Sequence, residues 1–257
     1  MSRAPRVMVL GLDCMPPELA FDAFRDDMPV LAGLMSRGSF GRLRSIVPPI
    51  TVPAWSCMVT SKDPGQLGVY GFRNRKDYSY DALSIATSSF VREKTVWDLL
   101  GERGLQSIVL GVPQTYPPKP VRGCLVAGFL TPSTQAEYTF PSSLKHQIND
   151  AVGDYVIDVD QFRTEDKAAL LGRIRAMTDN RFRVAEFLLR SKPWDFFMMV
   201  EMGLDRLHHA MWRYGSRTHH AYVPGNPYEN AMREYYRYLD AKVGGLLEAF
   251  GRDAAVM

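Results

Sequence analysis

Short apolar runs alternate along this chain with segments whose apolar positions recur every three to four residues, the signature of strands and amphipathic helices in turn. Val7 to Leu12 is a continuous apolar run closed by Gly11, Leu12 and Asp13, as in a strand buried on both faces that delivers a carboxylate at its end. Pro16 to Phe24 and Met28 to Arg37 read as helices, the second stopped by Gly38. Phe40 to Ile46 reads as a returning strand, broken by Pro48-Pro49. Val52 to Val59 then reads as a helix with Pro53 in its first turn, which places Thr51 at a helix N-terminus, where unpaired backbone N–H groups favour an anion.

Further along, a helix is expected over Thr95 to Gly104, strands over Ser107 to Gly111 and Gly123 to Phe129, and a long helix over Glu165 to Leu189. A strand over Trp194 to Val200 leads straight to Asp205. A last helix, Asn230 to Phe250, precedes a strand opening at Asp253 to Met257. Between 130 and 164 the periodicity fails, and this stretch reads as an inserted, cap-like region at the sheet edge. Strands alternating with helices predict an α/β fold with a largely parallel central sheet, in one domain spanning 1–257.

Composition narrows the class without changing this picture. The chain has 257 residues, 46% hydrophobic and 23% charged, ordinary for a globular protein with a substantial core. A net charge of +3 is too small an excess to imply a dedicated nucleic-acid partner, although it would not repel a phosphate. The three cysteines Cys14, Cys57 and Cys124 lack C-x-x-C spacing, so buried, reduced thiols are expected rather than disulfides or a thiolate metal site. Met1 to Arg6 has no apolar leader, and no window approaches ~18 consecutive apolar residues, so no membrane association and a cytoplasmic location are the expectations.

Three segments carry chemistry. Asp13 is a strand-end carboxylate. Thr51 is a hydroxyl fixed between Pro49 and Pro53 in Pro48-Pro49-Ile50-Thr51-Val52-Pro53-Ala54-Trp55. Asp205 and His209 stand four residues apart in Asp205-Arg206-Leu207-His208-His209, so on a helix they share one face and can grip one ion. An anionic oxygen ligand beside an activatable hydroxyl suits phosphoryl transfer assisted by metal ions. The alternative at each position is structural: a turn aspartate, a turn threonine, a surface pair at helical spacing.

With the turn Pro64-Gly65-x-x-Gly68-Val69-Tyr70-Gly71-Phe72 and the run Asp205-Arg206-x-x-His209-x-x-Trp212, these segments resemble, in order and spacing, the alkaline phosphatase superfamily, and within it the type I phosphodiesterase/nucleotide pyrophosphatase branch. The resemblance implies an alkaline phosphatase-like core and a phosphoric ester hydrolase of phosphodiesterase type. It also implies two divalent ions, zinc by its mixed carboxylate and imidazole ligands or else manganese, one held by Asp13 and Thr51 and the other by Asp205 and His209. Thr51 is then the nucleophile, the substrate is a small phosphate ester or diester, and His208 is a neighbour without a metal role. His219 and His220, in the loop Gly215 to Pro227, are given none.

The departures from that pattern are specific. Gln66-Leu67 stands where relatives carry a Lys-His-like pair, and Ser61 stands for a glycine. The asparagine that helps hold the phosphoryl oxygen has no counterpart at the usual spacing. Asn74 with Arg73 is the substitute considered for binding substrate, a solvated basic turn being the alternative. The Asp-His-Gly motif and final histidine of the superfamily do not occur by Met257, so the expectation is a C-terminally incomplete catalytic domain. A phosphomutase, or a non-catalytic protein that binds a phosphate ester or a partner through the same pocket, are the competing readings.

Overall fold

A computed structural model of the chain describes residues 6–77 and 79–257. The leader-free reading of the first five residues lies outside them. The expected α/β architecture is present. Six strands form one sheet: β1 (Arg6–Leu12), β4 (Ser107–Leu110), β5 (Gly123–Val126), β6 (Thr139–Phe140), β7 (Phe196–Glu201) and β8 (Ala254–Val256), in the order β6-β5-β4-β7-β1-β8. Every pairing is parallel except that of β6 with β5. A separate antiparallel pair, β2 (Arg73–Arg75) with β3 (Leu83–Ile85), stands apart from it.

The central strands are apolar on both faces because helices cover both sides. All six residues of β7 and all four of β4 are buried. The helices are α1 (Pro29–Arg37), α2 (Thr51–Thr60), α3 (Pro64–Leu67), α4 (Val96–Glu102), α5 (Leu144–Val152), α6 (Lys167–Ser191), α7 (Gly203–Gly215) and α8 (Ala231–Phe250). Helix α6 turns Leu170, Ile174, Met177, Val184 and Leu188 inward at the 3.6-residue period. Each such side chain, moved from water, contributes roughly 1.5–3 kcal/mol. No helix among the described residues is long and apolar enough to cross a membrane.

Several expectations are corrected. Phe40 to Ile46 is not a strand: the stretch is irregular, and Leu43 is 95% exposed. Its apolar residues, Phe40, Leu43 and Ile46, fall three apart, so an extended chain would split them between two faces; instead Phe40 packs edge-on to Phe21, and Arg42 reaches back to Glu18 and Asp22. Residues 18–23 wind as a π-helical turn followed by a 3₁₀ turn over 25–27, rather than one α-helix from Pro16 to Phe24. All three cysteines are free, but Cys14 is exposed; only Cys57 and Cys124 are buried.

The segment 130–164 supplies the edge strand β6 and helix α5. Its continuation over 154–162 lies against α6 and α7: Asn180 bonds the backbone of Asp154 and Val156, and Asp158 reaches Arg206.

Candidate active site

The carboxyl ends of β1 and β7 lie side by side, Leu12 opposite Glu201, and both chemistry-bearing segments leave the sheet there. The Asp13 N–H donates to the Glu201 carbonyl at 3.0 Å, fixing the turn that projects the Asp13 side chain. That side chain is buried. Trp55 donates its indole N–H to Asp13 Oδ1 at 2.6 Å, and Thr51 Oγ1 stands 3.5 Å from Asp13 Oδ2. Burial pushes the Asp13 carboxyl up to about 6; the Trp55 hydrogen bond opposes this and the nearby Asp205 charge adds to it.

Thr51 is the first residue of α2, as the prolines implied. Pro53 falls at the third helical position, where a backbone N–H would have no intrahelical partner, so it costs the helix no bond. Trp55 lies one turn further on the same face, and its ring packs on Gly11. A Cβ at Gly11 would sit 2.4 Å from Trp55 Cη2, so the close approach of α2 to β1 depends on that glycine.

Helix α7 begins two residues after β7, which fixes Asp205 in its first turn. His209 Nε2 stands 3.5 Å from Asp205 Oδ1, with the imidazole largely solvent-facing. His208 points the other way. It is buried, stacked on Tyr236 with its Nε2 3.2 Å from the phenol oxygen and edge-on to Trp212. Burial pulls its pKa down to about 4. The helix therefore pairs His209, not His208, with Asp205.

The turn at the base of α7 rests on a buried carboxylate. Glu201 Oε1 accepts from the Gly203 N–H at 2.8 Å and from Thr178 Oγ1 at 2.7 Å. Burial raises the Glu201 pKa against the opposing charge of buried Arg181. A Cβ at Gly203 would lie 1.9 Å from the Tyr235 hydroxyl, so only glycine fits.

The donors suit divalent cations as partial shells. Ligand bonds of ~2.0–2.1 Å at a tetrahedral angle put neighbouring donors about 3.3–3.5 Å apart. Both the Asp13–Thr51 and Asp205–His209 pairs meet that spacing. Two buried carboxylates whose charges oppose each other also favour a cation between them. Among the described residues no three His, Cys, Asp or Glu side chains gather into a complete site. Each pair therefore leaves positions of a four-ligand shell open.

Other residues named from the sequence have structural surroundings of their own. Asn74 Oδ1 accepts from the Tyr70 N–H at 2.9 Å and its Nδ2 donates to Gly71 O at 3.3 Å, so both its polar atoms hold the 70–74 turn; Arg73 is exposed on β2. Ser61 ends α2 with φ 56°, the left-handed conformation that a glycine adopts without strain. Gln66 closes a capping box with Asp63. His219 and His220 stack on each other in an exposed loop. Sequence reasoning missed Trp55, Asp158, Arg206 and Glu201. For Trp55 the signal was present, since Thr51 and Trp55 are one helical turn apart.

The family model for type I phosphodiesterase/nucleotide pyrophosphatase matches residues 7–256. No curated protein sequence matches the chain. Among solved structures, phosphonoacetate hydrolase from Sinorhizobium meliloti 1021, in complex with phosphonoacetate, is similar at 20% identity and a TM-score of 0.55, over 94% of this chain and 54% of that one. Murine ectonucleotide pyrophosphatase/phosphodiesterase 5, an inactive threonine-to-alanine form with AMP, is similar at 11% identity and 0.55, over 98% of this chain and 55% of that one. The chain thus spans about half the length of the solved proteins it resembles, and at these identities the likeness is one of fold.

Proposed function

The chain belongs to the type I phosphodiesterase/nucleotide pyrophosphatase family of the alkaline phosphatase superfamily, and from that premise we propose that it is a metal-dependent phosphoric ester hydrolase of phosphodiesterase type with Thr51 as nucleophile. The observation that carries this reading is Thr51 Oγ1, on the first turn of α2, standing 3.5 Å from the buried Asp13 carboxylate. Asp13 and Thr51 would hold one divalent cation, and Asp205 and His209 the other. Zinc suits this oxygen and nitrogen set, and manganese is the alternative. When bound, the cations supply positive charge that lowers the hydroxyl pKa and offsets charge on the phosphoryl oxygens.

The chain's own residues do the rest. Thr51 Oγ1 gives its proton to solvent and attacks phosphorus in line; the P–O bond to one ester group breaks, and that group leaves as its alcohol with a proton from water. The threonyl phosphodiester so formed is hydrolysed by water to the phosphomonoester and the free Thr51 hydroxyl. The N–H groups of Thr51 and Val52, in the first turn of α2 where a helix leaves its amides without intrahelical partners, would offer partial positive charge to the developing negative charge. Trp55 holds Asp13 in one rotamer, leaving Oδ2 toward the threonine. Arg73 and Asn74 enter the proposal only as a basic turn near which substrate passes. Support for a small phosphorus-containing anion as substrate comes from the two solved relatives, one holding phosphonoacetate and one AMP. The inactive threonine-to-alanine form of the second supports a threonine at the centre of that protein's chemistry. Unpaired cysteines favour action in a reducing compartment such as the cytoplasm.

The test is hydrolysis of a chromogenic phosphodiester, compared with monoester and dinucleotide substrates, by protein dialysed with and without Zn2+ or Mn2+. Metal-dependent diester turnover that Thr51→Ala abolishes is the expected result. Turnover that survives both chelation and Thr51→Ala sinks the proposal. Transfer of the phosphoryl group to an added alcohol in preference to water would instead identify a phosphomutase.

A further inference from the structure

Asp205 shares its charge with a neighbour whose own charge is already taken. Arg206 presents Nε and Nη2 to the two carboxylate oxygens of Asp158, at 2.7 Å each, and Nη1 to Asp205 Oδ2 at 2.6 Å. The guanidinium carbon lies over the rings of Phe129 and Phe162, 5.5 and 5.2 Å from their centroids. Its side chain is 10% exposed. Held against two rings and by three bonds, it has little freedom to swing. Its third bond takes Oδ2 of Asp205, so the oxygen left over is Oδ1, the one that faces His209.

Charge is the reason the arrangement matters. An unpaired guanidinium 2.6 Å from Asp205 would neutralise that carboxylate and repel a divalent cation beside it. Paired in a fork with Asp158, it is one half of a formally neutral unit. Accepting the two-cation reading above, we infer that Asp158 and Arg206 form a neutral clamp that orients Asp205 and keeps its charge available to the cation shared with His209. Both are positioning residues acting through Asp205. Since Asp158 belongs to the irregular stretch after α5, that stretch becomes part of the cation site as well as the sheet edge. A plain structural tie between the 154–162 segment and α7 is the competing account, and the two differ in what charge does.

The experiment is calorimetric titration of the 257-residue protein with ZnCl2 at pH 7, beside urea unfolding of each variant. Asp158→Asn keeps shape and strands the Arg206 charge, and it should weaken Zn2+ binding by about 10–100-fold, the range for partners of metal ligands. Asp158→Glu keeps the charge at the expense of packing, so it should stay within about threefold of wild type even where unfolding shows lost stability. The pair Asp158→Asn with Arg206→Gln, neutral on both sides, should bind more tightly than Asp158→Asn alone. Affinity unchanged in Asp158→Asn, or lost equally in Asp158→Glu, overturns the clamp while leaving the two-cation reading intact. Absence of any Zn2+ uptake by wild type overturns that reading and the clamp with it. If Asp158→Asn does not fold, the charge-retaining and doubly neutral variants decide between the accounts.

Discussion

Trp55 donates its indole N–H to Asp13 at 2.6 Å while its six-membered ring rests on Gly11, two residues earlier in β1. One side chain of α2 thus fixes both the distance of that helix from the sheet and the rotamer of the strand-end carboxylate. Trp55→Phe removes the donor and, because its single ring stops short of where Trp55 Cη2 meets Gly11, gives up that contact as well. The loss of one hydrogen bond to a buried carboxylate should lower stability by about 1–2 kcal/mol. Urea unfolding reads it, and a variant as stable as wild type would show that the bond positions nothing.

Gly11→Ala tests the other half of the same relationship. Its Cβ would meet the Trp55 ring at 2.4 Å, well inside contact distance, so α2 must shift away from β1. Overpacking of this kind costs about 1–3 kcal/mol. Because Thr51 rides on α2, diesterase activity should fall further than stability alone explains. Wild-type activity per folded molecule would separate helix position from catalysis.

For Thr51 itself, the expectation is a split between chemistry and binding. Thr51→Ala should lower diester turnover by about three orders of magnitude or more, as removing a nucleophile does. Bound metal should stay near wild type, because a neutral hydroxyl is the weakest donor of the set. Thr51→Ser should retain measurable turnover. Metal analysis beside the rate assay checks both, and loss of metal in Thr51→Ala would make the threonine a ligand first and a nucleophile second.

Adjacent histidines divide the same way. His208 packs between Tyr236 and Trp212, so His208→Ala should cost about 2–4 kcal/mol of stability with little change in Zn2+ affinity. His209 is 63% exposed and faces Asp205 and, at a tilt, the Phe162 ring, so His209→Ala should leave stability nearly unchanged and weaken Zn2+ binding. Calorimetry and urea unfolding on the two variants suffice. The reverse pattern would move the ligand to His208.

What the sequence made legible was local and periodic. Asp13 at a strand end, Thr51 at a helix start and Asp205 with His209 at four-residue spacing each follow from one element's geometry, and the parallel sheet brings the elements together by bringing β1 beside β7. The Phe40 to Ile46 stretch failed for the opposite reason. Phe40, Leu43 and Ile46 recur every third position, so no one element's geometry gathers them on a strand face, and the stretch stays irregular. Asp158 and Glu201 were invisible because their roles depend on partners 48 and 23 residues away, Arg206 and Thr178, across an irregular loop and a helix packing that no window reveals. Asn74, considered through the resemblance as a substitute for the family's phosphoryl-holding asparagine, bonds within its own turn, a pairing of which the sequence carries no sign.

The last expectation concerns protons and metal at Asp13. In the metal-free protein its pKa is raised by burial from 3.8 to about 6, with Trp55 opposing and Asp205 adding. A carboxyl raised by folding favours the native state only when protonated: that contribution is complete below pH ~4 and is lost as pH rises through about 6. Chelated protein should therefore lose on the order of a few kcal/mol of stability between those limits from this group. Asp13→Asn, which cannot ionise, should flatten that part of the profile. A saturating divalent cation should reverse its sign, because binding favours the ionised carboxylate and adds stability by linkage. Urea unfolding from pH 4 to 7, with chelator and with Zn2+, compares wild type and Asp13→Asn. Identical profiles for the two proteins in chelator, or no stabilisation of wild type by Zn2+ at pH 7, would remove Asp13 from the cation site.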